Sequence, residues 1–190
     1  DGDGDLIAFL QRLLGCGITG LAVEHVLPVM WGDGRKGKGR LLETIGGVLG
    51  TDLASPTHAS ILIGARSRSA RGPQPFLHAL RGTRIVWASE TDEGQVMNVG
   101  LVKRPTGGDT ITCRRLHSKP VTFFPSYLIL LLTNSKPHVA AEDPAIWDRL
   151  RLIPFTQRFV DDPRRDNEHH KDKYLTDKLK REGPAILARL

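Results

Sequence analysis

Gly32, Gly34 and Gly37 precede Lys38 in the pattern GxxxxGK, directly after the apolar run of residues 26–31. That spacing suits phosphate chemistry. The glycines let the backbone fold tightly enough for N–H groups to point at a polyphosphate, and Lys38 brings a cation to its β/γ end. A helix expected from residue 41 adds the positive end of its macrodipole. The position after the lysine, where a Ser or Thr hydroxyl usually ligates Mg²⁺, is Gly39, and Arg40 follows. Two further apolar runs end in side chains of useful kinds: residues 83–89 lead to Glu90, and residues 127–133 lead to Asn134. Hydrolysing a terminal phosphate requires a cation on the phosphates, a carboxylate to hold Mg²⁺ or orient water, and a polar side chain to position the attacking water. Lys38, Glu90 and Asn134 fit those roles in that order. Taken singly, each has a plainer reading as a basic turn, a solvated acidic turn, and a cap or turn residue.

The elements that must position these residues follow from periodicity. Residues 5–14 carry apolar positions at helical spacing after an Asp cap, and Gly15 and Gly17 are expected to end that helix. A helix-like stretch around residues 21–25 leads into a buried strand ending at Trp31. The phosphate loop is followed by a helix over residues 41–49, stopped by Gly50. Residues 64–75, rich in Gly, Pro, Ser and Arg, read as an exposed loop. Further buried strands are expected at 83–89, 127–134 and 151–155, the second continuously apolar as a central parallel strand should be. Residues 110–117 and 121–124 look like hairpin arms joined by Ser118, Lys119 and Pro120. A final helical run starts at Tyr174. The fold class is therefore α/β, with a central, mostly parallel sheet flanked by helices. In such sheets ligands gather outside the carboxyl ends of the strands, which is where Gly32–Lys38, Glu90 and Asn134 fall. Residues 1–25 are read as a helical lead-in, 26–160 as the core, and 161–190 as a C-terminal helical extension that stops mid-pattern.

The chain has 190 residues, enough for one domain with a proper core. Lys and Arg exceed Asp and Glu by 27 to 21, and the pI is near 9.6, which favours a polyanionic partner. Cys16 and Cys113 have no spacing that suggests a disulfide framework or a zinc site. No apolar run reaches the roughly 18–20 residues of a membrane span, and the acidic start is unlike a signal peptide. An intracellular, cytoplasmic protein is expected.

Together these residues resemble the superfamily 3 helicase domain of phage, plasmid and large-virus primase-helicases, a branch of the AAA+ ATPases. Residues 31–42 look like its Walker A motif, in which GKG followed by Thr or Ser also occurs; Lys36 and Arg40 depart from that pattern. Residues 85–91 resemble its Walker B strand, which implies Glu90 as the Mg²⁺-side or water-activating carboxylate. Residues 103–109, with Arg114, resemble the B′ motif, and residues 130–134 resemble motif C, making Asn134 the sensor of the γ-phosphate. Residues 147–151, followed by Ile153, Pro154 and Phe155, resemble the arginine-finger segment.

The resemblance implies an AAA+-like P-loop NTPase fold with a presensor β-hairpin over residues 110–124, gripping nucleic acid in the channel of a ring. Lys119 at the tip, His117 and Lys103 are the implied nucleic-acid contacts. Arg149 is the implied finger, reaching a neighbour's site, with Arg151 as runner-up. Gly32, Gly34, Gly37, Lys38, Gly39 and Arg40 would hold the nucleotide. The implied cofactors are ATP and Mg²⁺. The implied partners are single-stranded or forked DNA, further copies in a hexameric ring, and a primase domain or other replication proteins. The expected function is an ATP-dependent ring helicase motor. The alternatives are a nucleotide-gated binding or assembly module with little hydrolysis, favoured by Gly39 and Arg40, and a P-loop enzyme acting on a small molecule. Arg66, Arg68 and Arg71 could extend a polyanion path or form a solvated loop. The His169-His170-Lys171 run reads as surface.

Overall fold

The computed structural model describes residues 3–21, 24–63, 72–89, 96–97, 99–139 and 144–190. Helix α1 (Gly4–Thr19) starts at Asp3, whose carboxylate accepts from the N–H groups of Asp5 and Leu6. Strand β1 (Leu27–Trp31) leads through the glycine loop into α2 (Lys38–Leu49). There follow β2 (Ala54–Thr57), a single turn at Ala59–Ile61, α3 (Pro75–Ala79), β3 (Ile85–Ser89), β4 (Val96–Met97) and α4 (Val99–Thr106). The hairpin strands β5 (Ile111–Cys113) and β6 (Val121–Phe123) come next, then β7 (Leu128–Thr133), β8 (His138–Val139), α5 (Pro144–Trp147) and β9 (Leu150–Pro154). The chain closes with β10 (Arg158–Val160), β11 (Glu168–His170), α6 (Leu175–Arg181) and α7 (Gly183–Arg189).

Five of these strands form one parallel sheet in the order β2-β3-β7-β1-β9. Parallel pairing requires both faces to be covered, and the side-chain alternation of each inner strand shows how. Leu27, Val29, Val86, Ala88, Ile129 and Leu131 face one way, into a core shared with Leu77, Val102 and Ile146. Met30, Ile85, Trp87, Leu128, Leu130 and Leu132 face the other, into a core shared with Leu13, Leu14, Leu42 and Ile45. Central β7 is buried along its whole length, which explains its unbroken apolar sequence.

Three expectations need correction. Helix α1 does not end at Gly15 or Gly17 but runs to Thr19, with Gly20 in the left-handed conformation (φ +74°) as its cap. The glycines are there for close packing. A Cβ on Gly17 would lie 2.9 Å from Leu128 Cβ, and one on Gly15 would run into the Leu190 carbonyl. Overpacking a core costs roughly 1–3 kcal/mol, more than the roughly 0.5–1 kcal/mol that alanine gains over glycine inside a helix. Gly17→Ala is therefore expected to lower the melting temperature, as thermal unfolding followed by circular dichroism would show. Second, Glu24 and His25 are not helical; residues 22–23 lie outside the described residues. Third, residues 161–190 are not helical throughout, because β11 pairs with β10 across the boundary expected at residue 160. The edge strand β2 was not anticipated. It is four residues long with Pro56 inside, which only an edge tolerates.

Candidate nucleotide site

The strand order brings the carboxyl ends of β1 and β7 side by side, with Trp31 opposite Thr133. The Gly32 N–H donates to the Thr133 carbonyl at 3.2 Å, fastening the first residue of the loop to the end of β7. Gly32 has φ +147°, and a Cβ there would run into the Phe155 carbonyl, so only glycine fits. Gly37 has φ +86° and caps α2, while Arg35 adopts a left-handed φ of +66°. Left-handed residues alternating within so short a span make the kind of turn in which successive N–H groups converge on an anion. Gly34 is not needed sterically, since a Cβ there meets nothing within 4 Å.

Lys38 is 8% exposed, and its ammonium donates to the Gly32 carbonyl and approaches the Asp33 carbonyl at 3.5 Å. It also meets the Asn134 side-chain oxygen at 3.4 Å, joining residues 96 positions apart in the chain. Burial pushes the Lys38 ammonium below the usual lysine range; the Lys36 charge pushes the same way, and Asp33 opposes it. Lys36 itself pairs with Asp33 at 3.5 Å. Behind Asn134, the Thr133 hydroxyl donates to the Ser135 carbonyl at 2.6 Å, and the Lys136 ammonium sits 4.9 Å from the centre of the Trp31 ring. These contacts tie the loop after β7 to the strand that feeds the phosphate loop.

The remaining expected residues divide. β3 ends at Ser89, in register with Leu132, so its carboxyl end belongs to the same edge; Glu90 lies outside the described residues, as do Arg66, Arg68 and Arg71. Arg40 turns to Glu43 at 3.0 Å and lines a groove between α2 and the α6–α7 pair. This ion pair lies at the surface of its own helix. Among the described residues no hydroxyl takes the metal-ligating place after the lysine, and the one carboxylate within the loop, Asp33, is exposed beside Lys36. The residue after Lys38 is Gly39, the Thr44 hydroxyl donates to the Arg40 carbonyl at 2.8 Å, and among the described residues no three or more His, Cys, Asp or Glu come together to hold a metal.

Arg149 stands elsewhere. It precedes β9, whose Leu150 is in register with Leu27, so it marks the amino edge of the sheet. The length of β1, about 16 Å at strand rise, separates that edge from Lys38. Arg149 Nη1 donates to the Ala145 carbonyl at 2.8 Å, and its buried Nε has no hydrogen-bond partner. Arg151 donates to the carbonyls of Asp148 and Leu150.

The hairpin is present but shorter in its first arm than expected. β5 stops at Cys113 because the Arg114 carbonyl accepts from the Gln74 N–H, outside the hairpin, and His117 has φ +57°. His117 and Lys119 are exposed in the 114–120 loop. Lys103 sits on α4, not on the hairpin. Its neighbour Arg104 braces the hairpin, donating to the Thr112 carbonyl at 2.8 Å and to Gln74 Oε1 at 3.0 Å. Sequence reading missed Arg104, because its target is a backbone carbonyl that no motif announces.

No protein-family model matches the chain. It is 33% identical over 181 residues to a protein of Acanthamoeba polyphaga mimivirus named a putative helicase, an alignment covering 95% of the chain and 18% of that protein. A protein of Invertebrate iridescent virus 3 with the same kind of name is 34% identical over 144 residues, 70% of the chain and 15% of that protein. The chain is homologous to helicase-named proteins of large DNA viruses. A protein of African swine fever virus named a putative primase is 25% identical over 150 residues, 78% of the chain and 16% of that protein. The chain therefore spans less than a fifth of the length of these relatives. Among solved structures, the C-terminal region of NrS-1 superposes with a TM-score of 0.60 at 15% identity, over 98% of the chain and 44% of that structure. JCV helicase superposes with a TM-score of 0.51 at 14% identity, over 96% of the chain and 49% of that structure. At such identities the likeness is one of fold. That fold is the α/β P-loop NTPase type expected from the sequence, with a parallel sheet between helices and a hairpin before β7. No described helix is long and apolar enough to cross a membrane.

Proposed function

We propose that the chain is the nucleotide-driven motor domain of a superfamily 3-type replicative helicase, which binds ATP at residues 32–38 and works on DNA as a ring. The contact between Lys38 and Asn134 carries this reading. It places a buried cation and a polar side chain from two separate strands at one point beside a glycine loop, as sensing a terminal phosphate requires. Lys38 holds the phosphates, Asn134 orients the attacking water, and Glu90 is the carboxylate assigned to the Mg²⁺ side. Lys119 and His117 on the exposed 114–120 loop are assigned to the nucleic-acid backbone, with Lys103 as an auxiliary contact. Helicase and primase names among the viral relatives support a role in replication. The test is ATP hydrolysis stimulated by single-stranded DNA, together with strand displacement, in the intact assembly. Displacement that depends on hydrolysable ATP is the expected result.

A second reading has its own observation. With Gly39 in place of a hydroxyl residue, the loop lacks the metal ligand that usually follows the lysine. An assembly module that closes on nucleotide without turning it over would show this. It predicts oligomerisation on a non-hydrolysable ATP analogue and no displacement. Gly39→Ser decides how much the missing hydroxyl matters. A Cβ at Gly39 has only Glu43 Oε1 nearby, at 4.0 Å, so serine is accommodated. On the motor reading, Gly39→Ser is expected to raise ATP turnover several-fold and lower the Mg²⁺ concentration needed for half-maximal rate, measured by phosphate release.

The lowered pKa of Lys38 gives a further expectation with a definite sign. Polyphosphate binds the ammonium form, and the unliganded site releases that proton at a lower pH than an exposed lysine does. ATP affinity should therefore be flat below that point and fall as pH rises through it. Arginine keeps its charge at alkaline pH, so Lys38→Arg should remove the fall. Isothermal titration from neutral to alkaline pH would measure both.

A further inference from the structure

We propose that the exposed ring of Phe159, backed by His169, is the platform on which the base of a bound nucleoside triphosphate stacks. This deepens the reading of residues 32–38 as a phosphate site and rests on it. In the β10–β11 ribbon Phe159 is the register partner of His169, while Arg158 is the partner of Glu168. Strand alternation puts the aromatic pair on one face and the charged pair on the other. The two rings lie 5.8 Å apart between centroids at 36°, and Arg158 and Glu168 approach at 3.7 Å. His169 Nε2 and Gln157 Oε1, 2.8 Å apart, hold the imidazole in place.

The ribbon is docked on the phosphate loop. The Phe159 N–H donates to the Arg35 carbonyl at 3.1 Å, and the ring edge lies 3.8 Å from where a Cβ on Gly37 would sit. Phe159 is nevertheless 40% exposed. An aromatic ring anchored to an anion-binding loop but open to solvent has the chemistry to receive a planar heteroaromatic group carried by that anion. A nucleoside polyphosphate is such a ligand: its phosphates occupy the loop, and its base hangs one ribose away. The rings of Phe159 and His169 already touch, so the base covers the open face of Phe159 and does not enter between them. Stacking of this kind reads the π-face of a base, not its hydrogen-bonding edge, so purines, with the larger face, are held best.

Inorganic tripolyphosphate separates the two halves of the site, because it has the phosphates and no base. Stacking is worth roughly 1–3 kcal/mol per base, so Phe159→Ala is expected to weaken ATP binding roughly 5- to 150-fold in isothermal titration, with tripolyphosphate affinity unchanged. Phe159→Trp is expected to restore ATP affinity. Equal losses for both ligands, or no loss for either, would overturn the platform while leaving the phosphate site standing. Failure of the wild-type chain to bind either ligand would overturn both. Photolabelling of the wild-type chain with 8-azido-ATP needs no variant. Label within residues 157–170 is expected, and label confined to other segments would overturn the proposal.

Discussion

Lys38→Ala is expected to reduce DNA-stimulated ATP hydrolysis by about 10²–10³-fold, the size of effect seen when one preorganised donor to developing charge is removed. The expectation rests on how the lysine is held. Its ammonium is buried, touches the Gly32 carbonyl and Asn134, and carries a depressed pKa, so the unliganded protein bears an incompletely compensated charge. A polyphosphate removes that deficit, and Lys38 is the buried cation at this point of the loop, whereas Arg40 pairs with Glu43 at the surface. The same feature separates lost function from lost fold. A lysine with a lowered folded-state pKa binds fewer protons in the native state than in the unfolded one, so its charge destabilises the native state below that pKa. Lys38→Met keeps most of the side-chain volume and discards the charge. It is expected to lose activity as alanine does, with a melting temperature unchanged or raised. Activity that survives either substitution would mean that residues 32–38 are not the phosphate site.

What could be read from the sequence divides along physical lines. The sheet was legible because central parallel strands must be apolar on both faces, and residues 127–133 leave no other interpretation. Asn134 was legible for the same reason: a polar residue closing such a run has to sit at the carboxyl edge. The glycine loop announced itself through spacing, though the need for glycine turned out to be local, strict at Gly32 and absent at Gly34. Gly15 and Gly17 misled because a glycine that ends a helix and one that admits a close neighbour look identical in one dimension. Strand β2 was hidden because its residues, Ala, Ser, Pro and Thr, include no large apolar side chain to mark a strand. The His169-His170-Lys171 run is exposed, as its composition suggests; what one dimension does not show is that His169 faces Phe159 across a ribbon of three-residue strands. Interactions made through the backbone, such as Arg104 with the Thr112 carbonyl, leave no sequence trace.

Arg149→Ala is expected to reduce hydrolysis about 10³-fold or more while leaving ATP affinity unchanged, the effect of withdrawing an arginine finger. Within one chain Arg149 cannot perform this task, because the sheet separates it from Lys38 by about 16 Å. Nor does its present setting account for it as a structural residue. One hydrogen bond to Ala145 is worth about 1 kcal/mol, and its buried Nε–H has no acceptor, a cost that a purely structural side chain would be expected to avoid. Because the Nε is shielded from solvent, the side chain must swing out of this setting to meet an anionic group on an adjacent copy. Mixing decides the matter. In a ring built from Lys38→Ala and Arg149→Ala chains, some interfaces pair an intact phosphate loop with an intact arginine, so the mixture should recover part of the wild-type rate although each variant alone is inactive. If mixing recovers nothing while both variants still assemble and the Arg149 variant still binds ATP, the arginine does not act across an interface, and Arg151 becomes the residue to exchange in the same experiment.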